Sequence, residues 1–315
     1  MTAFDALAAI VRAGSGLVLG RDKLYLLETR LAPLLKREGF AGLDALAARL
    51  AGCGPDHGLV QDVLEAMTTN ESLFFRDGTP FAHVHNVALP RLCSASRPVR
   101  VWSAAASSGQ EAYSLAMIVE AAAATHQVDI VGTDLSREQV ARARTGLFTQ
   151  FEVQRGLPVR LLLKHFTQEP AGWRISAPLR AMCSFQRANL LGDLKTLGIF
   201  DLVFLRNLLI YFNITDKTRV LNLVADQMTP DGLLYLSAAD SIQGLDTPFT
   251  ALPGERGIYA RSGPPCRPSA HAATRRNWPE TLDPAVAHAD VPIVAIDRRV
   301  AMARHEAQFA AERRG

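Results

Sequence analysis

From residue 99 onward, short apolar runs alternate with helical segments, and this alternation restricts the possible folds more than any other feature. VRVWSAAA, VDIVGTDL, FDLVFLRN and GLLYLSAA are of strand length; the helical GQEAYSLAMIVEAAAA separates the first two, and DKTRVLNLVADQM lies between the last two. Parallel strands joined through helices are buried on both faces, which is why they read as continuous apolar runs. The predicted class is α/β, a doubly wound and mostly parallel sheet whose ligands bind outside the carboxyl ends of its strands.

The first run leads into SAAASSGQEAYS. Small residues from Ala104 to Gly109, with Ala105 among them, let the backbone turn tightly and approach a ligand, while the next helix offers its positive end. The G-x-G-x-x-G of a dinucleotide site is missing, so NAD is disfavoured. Asp134 ends the second run 25 residues past Gly109, near the spacing at which an acid accepts hydrogen bonds from ribose hydroxyls. Asp134 would alternatively cap the helix SREQVARARTG, but Ser136 can do that instead. Together these features suggest S-adenosylmethionine.

Residues 1 to about 80 read as helices. In DKLYLLETRLAPLLKREG, Asp22 is the expected cap, Leu24, Leu27, Leu31, Leu34 and Leu35 form the apolar stripe, and Gly39 ends the helix. Pro33 is expected to kink or divide it. Lys23, Arg30 and Arg37 recur every seventh residue on one side of the stripe. They form either a solvated face or a docking surface for an acidic helical partner. The predicted organisation is a helical domain at 1–85, an α/β domain at 86–262 and a flexible tail at 263–315, whose end, VAMARHEAQFAAERRG, is suited to a short helix.

Composition excludes several classes. With 315 residues, 48% of them hydrophobic, the chain supports a packed core and a smaller second domain. No apolar run approaches the roughly 20 residues that span a bilayer, and Asp5 interrupts any signal core, so a cytoplasmic protein without membrane insertion is expected. Cys53, Cys93, Cys183 and Cys266 lack paired spacing and are expected to be reduced and structural. HVH at His83 and His85 has the alternation of a strand-borne metal pair, but no neighbouring ligand completes it, so no metal is expected. A net charge of +3, two units of it from eight Arg against six Asp or Glu beyond Gly263, argues against nucleic acid.

TTNESLFFRD at 68–77 sets a polar run against Leu73, Phe74, Phe75 and a lone Arg76. With VWSAAASSGQEAYSLAM, GTDLS, RANLL and FDLVFLRNLLIYFN, in that order and approximate spacing, it resembles the chemotaxis receptor methyltransferases, the CheR family, over residues from about 10 to 262.

The resemblance implies a Rossmann-like methyltransferase sheet with a small N-terminal helical domain and a small antiparallel β insertion at about 165–182. It implies cofactor contacts from Asn70, Ser72 and Arg76, from Glu111 with Gln110 in place of the family's first acid, and from Asp134, Asn189, Leu190, Leu205, Arg206 and Asn207. Leu205 stands where a cysteine is frequent, so only its backbone is expected to serve. Tyr211 would help place the incoming carboxylate and Arg76 would orient groups at the cofactor end. SAADS at 237–241 departs from the family pattern. The implied reaction passes a methyl group from S-adenosylmethionine to glutamate side chains of methyl-accepting chemotaxis proteins, leaving S-adenosylhomocysteine. Partners would be the cytoplasmic receptor helices, meeting Arg30 and Arg37, and in some members a receptor C-terminal tether peptide at the β insertion. A monomer recruited to receptor arrays is expected. A methyltransferase with another substrate and a non-catalytic adaptor of the same fold are the alternatives.

Overall fold

Leu27, Leu31 and Leu34 are at most 5% exposed, so the leucine stripe forms one wall of a helical core. The computed structural model describes residues 2–94 and 97–261, and four helices build that core: α1 (Ala3–Ser15), α2 (Leu24–Glu38), α3 (Leu43–Leu50) and α4 (Gly58–Met67). Leu7, Val11, Leu46 and Val63 share the core with the α2 leucines, each full burial contributing about 1.5–3 kcal/mol.

The expected cap of α2 is not found. Asp22 lies in a separate turn, Arg21–Lys23, and the helix begins after Lys23 without a side-chain cap. Pro33 sits inside a helix that is not divided. It removes one backbone hydrogen bond, but Leu31 and Leu34 on either side are buried, and that burial holds the turn together. Gly39 ends α2 in the left-handed conformation and donates to the Leu35 carbonyl.

The apolar core changes soon after α4. Met67 is the last buried residue of the helical cluster apart from the partly buried Leu135 packed against it, and from Phe74 onward the buried residues belong to the sheet. The helices α5 (Thr79–His83) and α6 (Leu89–Leu92), joined through a π turn at Val84–Ala88, bring Phe81, Val84 and Leu89 into that second core. A boundary at 85/86 is therefore too late; the change falls in the polar stretch 68–73, which has little to bury. His83 and His85 lie on helical turns rather than a strand. His83 Nδ1 is 3.0 Å from the Tyr235 hydroxyl, and burial pushes its pKa down to about 4.

The sheet follows the predicted alternation. β1 (Val99–Ala104) leads through α7 (Gln110–Ala121) to β2 (Val128–Asp134), and α8 (Arg137–Thr145) follows. Next come β3 (Leu147–Phe148), α9 (Gln150–Val153), α10 (Val159–His165), β4 (Phe166–Glu169), β5 (Gly172–Ile175), α11 (Ala177–Ala181) and β6 (Cys183–Arg187). The chain then re-enters the sheet as β7 (Phe200–Leu205), α12 (Ile214–Ala225) and β8 (Met228–Tyr235), and closes with β9 (Phe249–Ala251) and β10 (Ile258–Arg261). The strand order is β6-β2-β1-β7-β8-β10-β9, with β10 antiparallel to both of its neighbours.

A three-stranded antiparallel sheet, β3-β5-β4, forms the insertion. Its first strand precedes the expected 165–182 segment. Cys183–Arg187, just past that expected segment, joins the main sheet parallel to β2. The tail at 263–315 and its helix lie outside the described residues.

Candidate functional site

The register of the central strands builds the site. Ala104 pairs with Thr133 of β2 on one side and with Leu205 of β7 on the other, so Ala105, Asp134 and Arg206 emerge together at one rim. The connections from the neighbouring strands β1 and β7 leave in opposite directions there, to β2 and to β8, opening a crevice. The 68–76 stretch and the end of α1 cover it, and the enclosed cavity is lined from both domains.

Polar partners at this rim are buried and specific. Asp134 is 8% exposed; its Oδ2 accepts from the Ser107 backbone N–H at 2.8 Å and its Oδ1 from that of Ser136 at 2.9 Å. Burial pushes its carboxyl pKa up, outweighing the backbone N–H groups of Ser136, Ser107 and Leu135 that pull it down. Ser136 also caps α8, accepting from Gln139, as its sequence position suggests. Glu111 accepts from the Ser103 hydroxyl at 2.7 Å and from Arg206 at 3.0 Å. The Arg206 side chain is 2% exposed and also donates to Asp77 at 2.6 Å and to the Arg76 carbonyl at 2.7 Å.

Backbone strain concentrates at the same rim. Phe75, Asp77, Ala105, Ser107 and Asn207 adopt left-handed φ between 48° and 64°, a conformation costing L-residues about 1–2 kcal/mol each. Specific bonds hold them: the Ser114 hydroxyl accepts from Phe75 N–H, Asp134 from Ser107 N–H and Asp240 from Asn207 N–H. Ala105 and Ser107 do the work expected of small residues in the β1 turn, and Gly109, at φ 95°, opens α7.

Of the predicted cofactor and catalytic residues, Asn70, Ser72, Arg76, Ala105, Glu111, Asp134, Asn189, Leu190, Arg206, Asn207 and Tyr211 all line the one cavity. Leu205 does not; its side chain is fully buried beneath the rim. Two residues have duties the sequence did not disclose. The Asn189 amide donates to the Gly14 carbonyl and accepts from Leu191 N–H, tying α1 to the sheet domain. Arg206 donates from its two terminal nitrogens to protein groups, while its buried Nε has no hydrogen-bond partner among the described residues. Arg76, by contrast, is half-buried and its guanidinium donates to no other described residue. Ser15, Leu17, Met67, Leu135 and Phe212 also line the cavity and were missed, because their only signal was apolar or capping character.

Arg30 and Arg37 stand apart from the cavity. Arg30 reaches from α2 to the Met67 carbonyl at 2.7 Å, the Thr68 carbonyl at 3.1 Å and the Thr69 hydroxyl at 3.1 Å. It thereby holds the end of α4 from which the cavity's 68–73 wall departs. Arg37 is paired with Glu38 and Asp62. Arg30→Ala is expected to lose about 2 kcal/mol of stability and to weaken cofactor binding severalfold; calorimetric titration beside a urea melt checks both, and unchanged affinity would leave Arg30 a surface residue.

The donor set suits a nucleoside without phosphates. Glu71, Glu111 and Asp134 face the same cavity as Arg76 and Arg206, and no lysine lines it among the described residues. A pyrophosphate would meet carboxylates, whereas ribose hydroxyls find acceptors, and Leu135, Leu190 and Ala188 offer apolar surface to a base.

Comparison with known proteins agrees with this geometry. Residues 2–68 match the model of the CheR methyltransferase all-alpha domain and residues 70–258 that of the CheR methyltransferase SAM binding domain. The chain is 35% identical over 268 residues to chemotaxis protein methyltransferase 1 of Pseudomonas aeruginosa, spanning 82% of this chain and 97% of that protein. It is 33% identical over 264 residues to chemotaxis protein methyltransferase Cher2 of Pseudomonas putida, spanning 81% and 96%. With a cavity lined from both of these domains, the second of them matching a SAM binding domain, the chain belongs to the CheR family of chemotaxis protein methyltransferases.

Proposed function

We propose that this protein methylates glutamate side chains of chemoreceptors, the methyl-accepting chemotaxis proteins, forming methyl esters in sensory adaptation. The supporting observation is that the cavity holds no free base. No His, Cys or Lys lines it among the described residues, and its three acids are engaged: Glu71 with Arg155, Glu111 with Ser103 and Arg206, and Asp134 with backbone N–H groups. A glutamate carboxylate, with an ordinary pKa of about 4.3, arrives already ionised and needs none. Amine or hydroxyl substrates would have to lose a proton in a site with nothing to take it.

Asp134, Asn70, Ser72 and Asn207 would hold S-adenosylmethionine, which would supply an electrophilic methyl group to a carboxylate oxygen and leave as S-adenosylhomocysteine. The chain contributes position. Tyr211 and Arg76 line the cavity with Asn207, and holding two reactants in near-attack geometry is worth several kcal/mol. Arg76 acts by orientation, because an arginine directly on the carboxylate would stabilise the charge that the transition state loses. Receptor helices would approach across α2, where Lys23 and Arg37 are exposed, and a receptor tether peptide would meet the β3-β5-β4 sheet. No helix of the described residues is long and apolar enough to cross a membrane, so recruitment to receptor arrays would run through the receptors themselves.

Transfer of labelled methyl from S-adenosylmethionine to receptor-bearing membranes tests the reading. Base-labile label on the receptor is expected from the wild-type protein, with at least about a hundredfold less from Arg76→Ala, the scale of a lost positioning contact. Cofactor binding without base-labile receptor label would move the assignment to another acceptor.

A further inference from the structure

Asp240 lies in the SAADS segment, where the chain departs from its family and where no part of the proposed reaction has yet been placed. It is 5% exposed, and N–H and O–H groups meet its charge; no ion pair involves it among the described residues. Two of its four hydrogen bonds are local, from the Ser237 N–H at 3.3 Å and the Ser237 hydroxyl at 2.7 Å. Those alone would suffice to cap its own turn. The other two cross to the neighbouring loop: Oδ2 accepts from Asn207 N–H at 2.6 Å and Oδ1 from Ile210 N–H at 3.2 Å. Phe204 pairs with Tyr235, so the loops after β7 and β8 leave the sheet side by side and the reach is short.

Both crossed residues matter to the cavity. Asn207 is left-handed at φ 58° and lines it beside Arg206. Ile210 is the middle of the turn Leu209–Tyr211, which presents Tyr211 to the cavity and whose end is held from the other domain by Val18 N–H on the Tyr211 carbonyl. We infer that Asp240 is a positioning residue for methyl transfer: one carboxylate, using both oxygens, sets the strained Asn207 and the Tyr211 turn in register. The inference rests on the methyltransferase reading above.

Only a group with two acceptor oxygens can do this. In Asp240→Asn an NH2 must face one of the backbone donors, so at least one charge-assisted bond is replaced by a donor opposed to a donor. Ser237→Ala removes a bond from the same carboxylate without touching Asn207 or Ile210, and so separates local capping from positioning.

S-adenosylhomocysteine binding is measured by titration calorimetry on the full chain, and kcat and KM for S-adenosylmethionine by methyl transfer. Asp240→Asn is expected to weaken binding about tenfold, the scale of one such bond, and to lower kcat at saturating cofactor as well, because Tyr211 moves with the turn. Ser237→Ala is expected to stay within about twofold in both, and Asp240→Glu, which keeps two acceptor oxygens, to recover at least part of the loss. Asp240→Asn within about twofold of wild type, or Ser237→Ala losing as much as Asp240→Asn, overturns the inference. Should Asp240→Asn fail to fold, hydrogen exchange on the wild-type protein tests the same bonds: slow exchange of the Asn207 and Ile210 amides supports it, and exchange at the unstructured rate overturns it. Wild-type protein that binds S-adenosylhomocysteine but labels no receptor defeats the substrate assignment alone, and the affinity arm of the Asp240 test still stands.

Discussion

Arg206→Met is expected to destabilise the protein by about 3–5 kcal/mol, the usual effect of removing one partner from a buried ionic group. Three features make the effect large. The Arg206 side chain is 2% exposed, so the cavity left behind does not fill freely with water. Glu111, whose side chain is 13% exposed, would keep only the Ser103 hydroxyl as partner for a charge. The left-handed Phe75–Asp77 turn would lose the guanidinium that binds both the Arg76 carbonyl and the Asp77 carboxylate. Urea unfolding should show a lower midpoint with an unchanged slope. Glu111→Gln placed on top of Arg206→Met should recover part of the loss, because the stranded charge is gone. A change below about 1 kcal/mol in the single variant would mean that the turn is held by other groups.

Asp134→Asn carries the largest expected effect on ligand binding. The amide retains one acceptor where the carboxylate has two, both already committed to the Ser107 and Ser136 N–H groups. It therefore disturbs the β1 turn and removes the acceptor proposed for the ribose. Losing about 2–3 kcal/mol there corresponds to roughly 30–150-fold weaker S-adenosylhomocysteine binding. The wild-type protein adds a test of sign. Because burial raises the Asp134 pKa above its ordinary 3.8, the folded protein takes up this proton earlier on acidification than the unfolded chain does. Through that window the group adds to folding stability as pH falls, and that contribution is lost as pH rises through the raised pKa. Binding runs the opposite way, since protonation removes acceptor capacity. On acidification affinity should therefore begin to fall while the pH is still above 3.8, and this part of the pH dependence should vanish in Asp134→Asn, as read by calorimetric titration at a series of pH values. Parallel pH profiles for the two proteins would remove Asp134 from the ligand's contacts.

The α/β class, the four long strands, the Gly39 stop and the Ser136 cap follow from the residues alone. Each depends on periodicity or on a short-range backbone bond, and both leave a pattern within a dozen residues. Part of the cavity lining was legible for a different reason: the small residues of the β1 turn and Asp134 stand at strand ends, where side chains serve loops rather than cores, whereas Asn70, Ser72, Arg76, Glu111, Asn189, Arg206, Asn207 and Tyr211 followed only from the family resemblance. Pro33 does not divide α2 because a local breaker rule met burial on both flanks, and the change of core falls before 85/86 because α5 and α6 are helical like their predecessors yet pack on the sheet.

What the sequence determined by itself is the class of fold, the order of its elements and the residue types gathered at the carboxyl rim. Tertiary structure alone decided which charged groups bind the protein itself and which face the cavity. Arg30, Arg206 and Asp240 reach backbone groups 37, 130 and 33 residues away. A bond from a side chain to a distant peptide group constrains neither residue type nor spacing at its far end, because every non-proline residue offers the same N–H and carbonyl. The packing of α2 against α4 makes the Arg30 bond, and the strand register that brings the ends of β1, β2, β7 and β8 together makes those of Arg206 and Asp240, and with them the strained turns that shape the cavity.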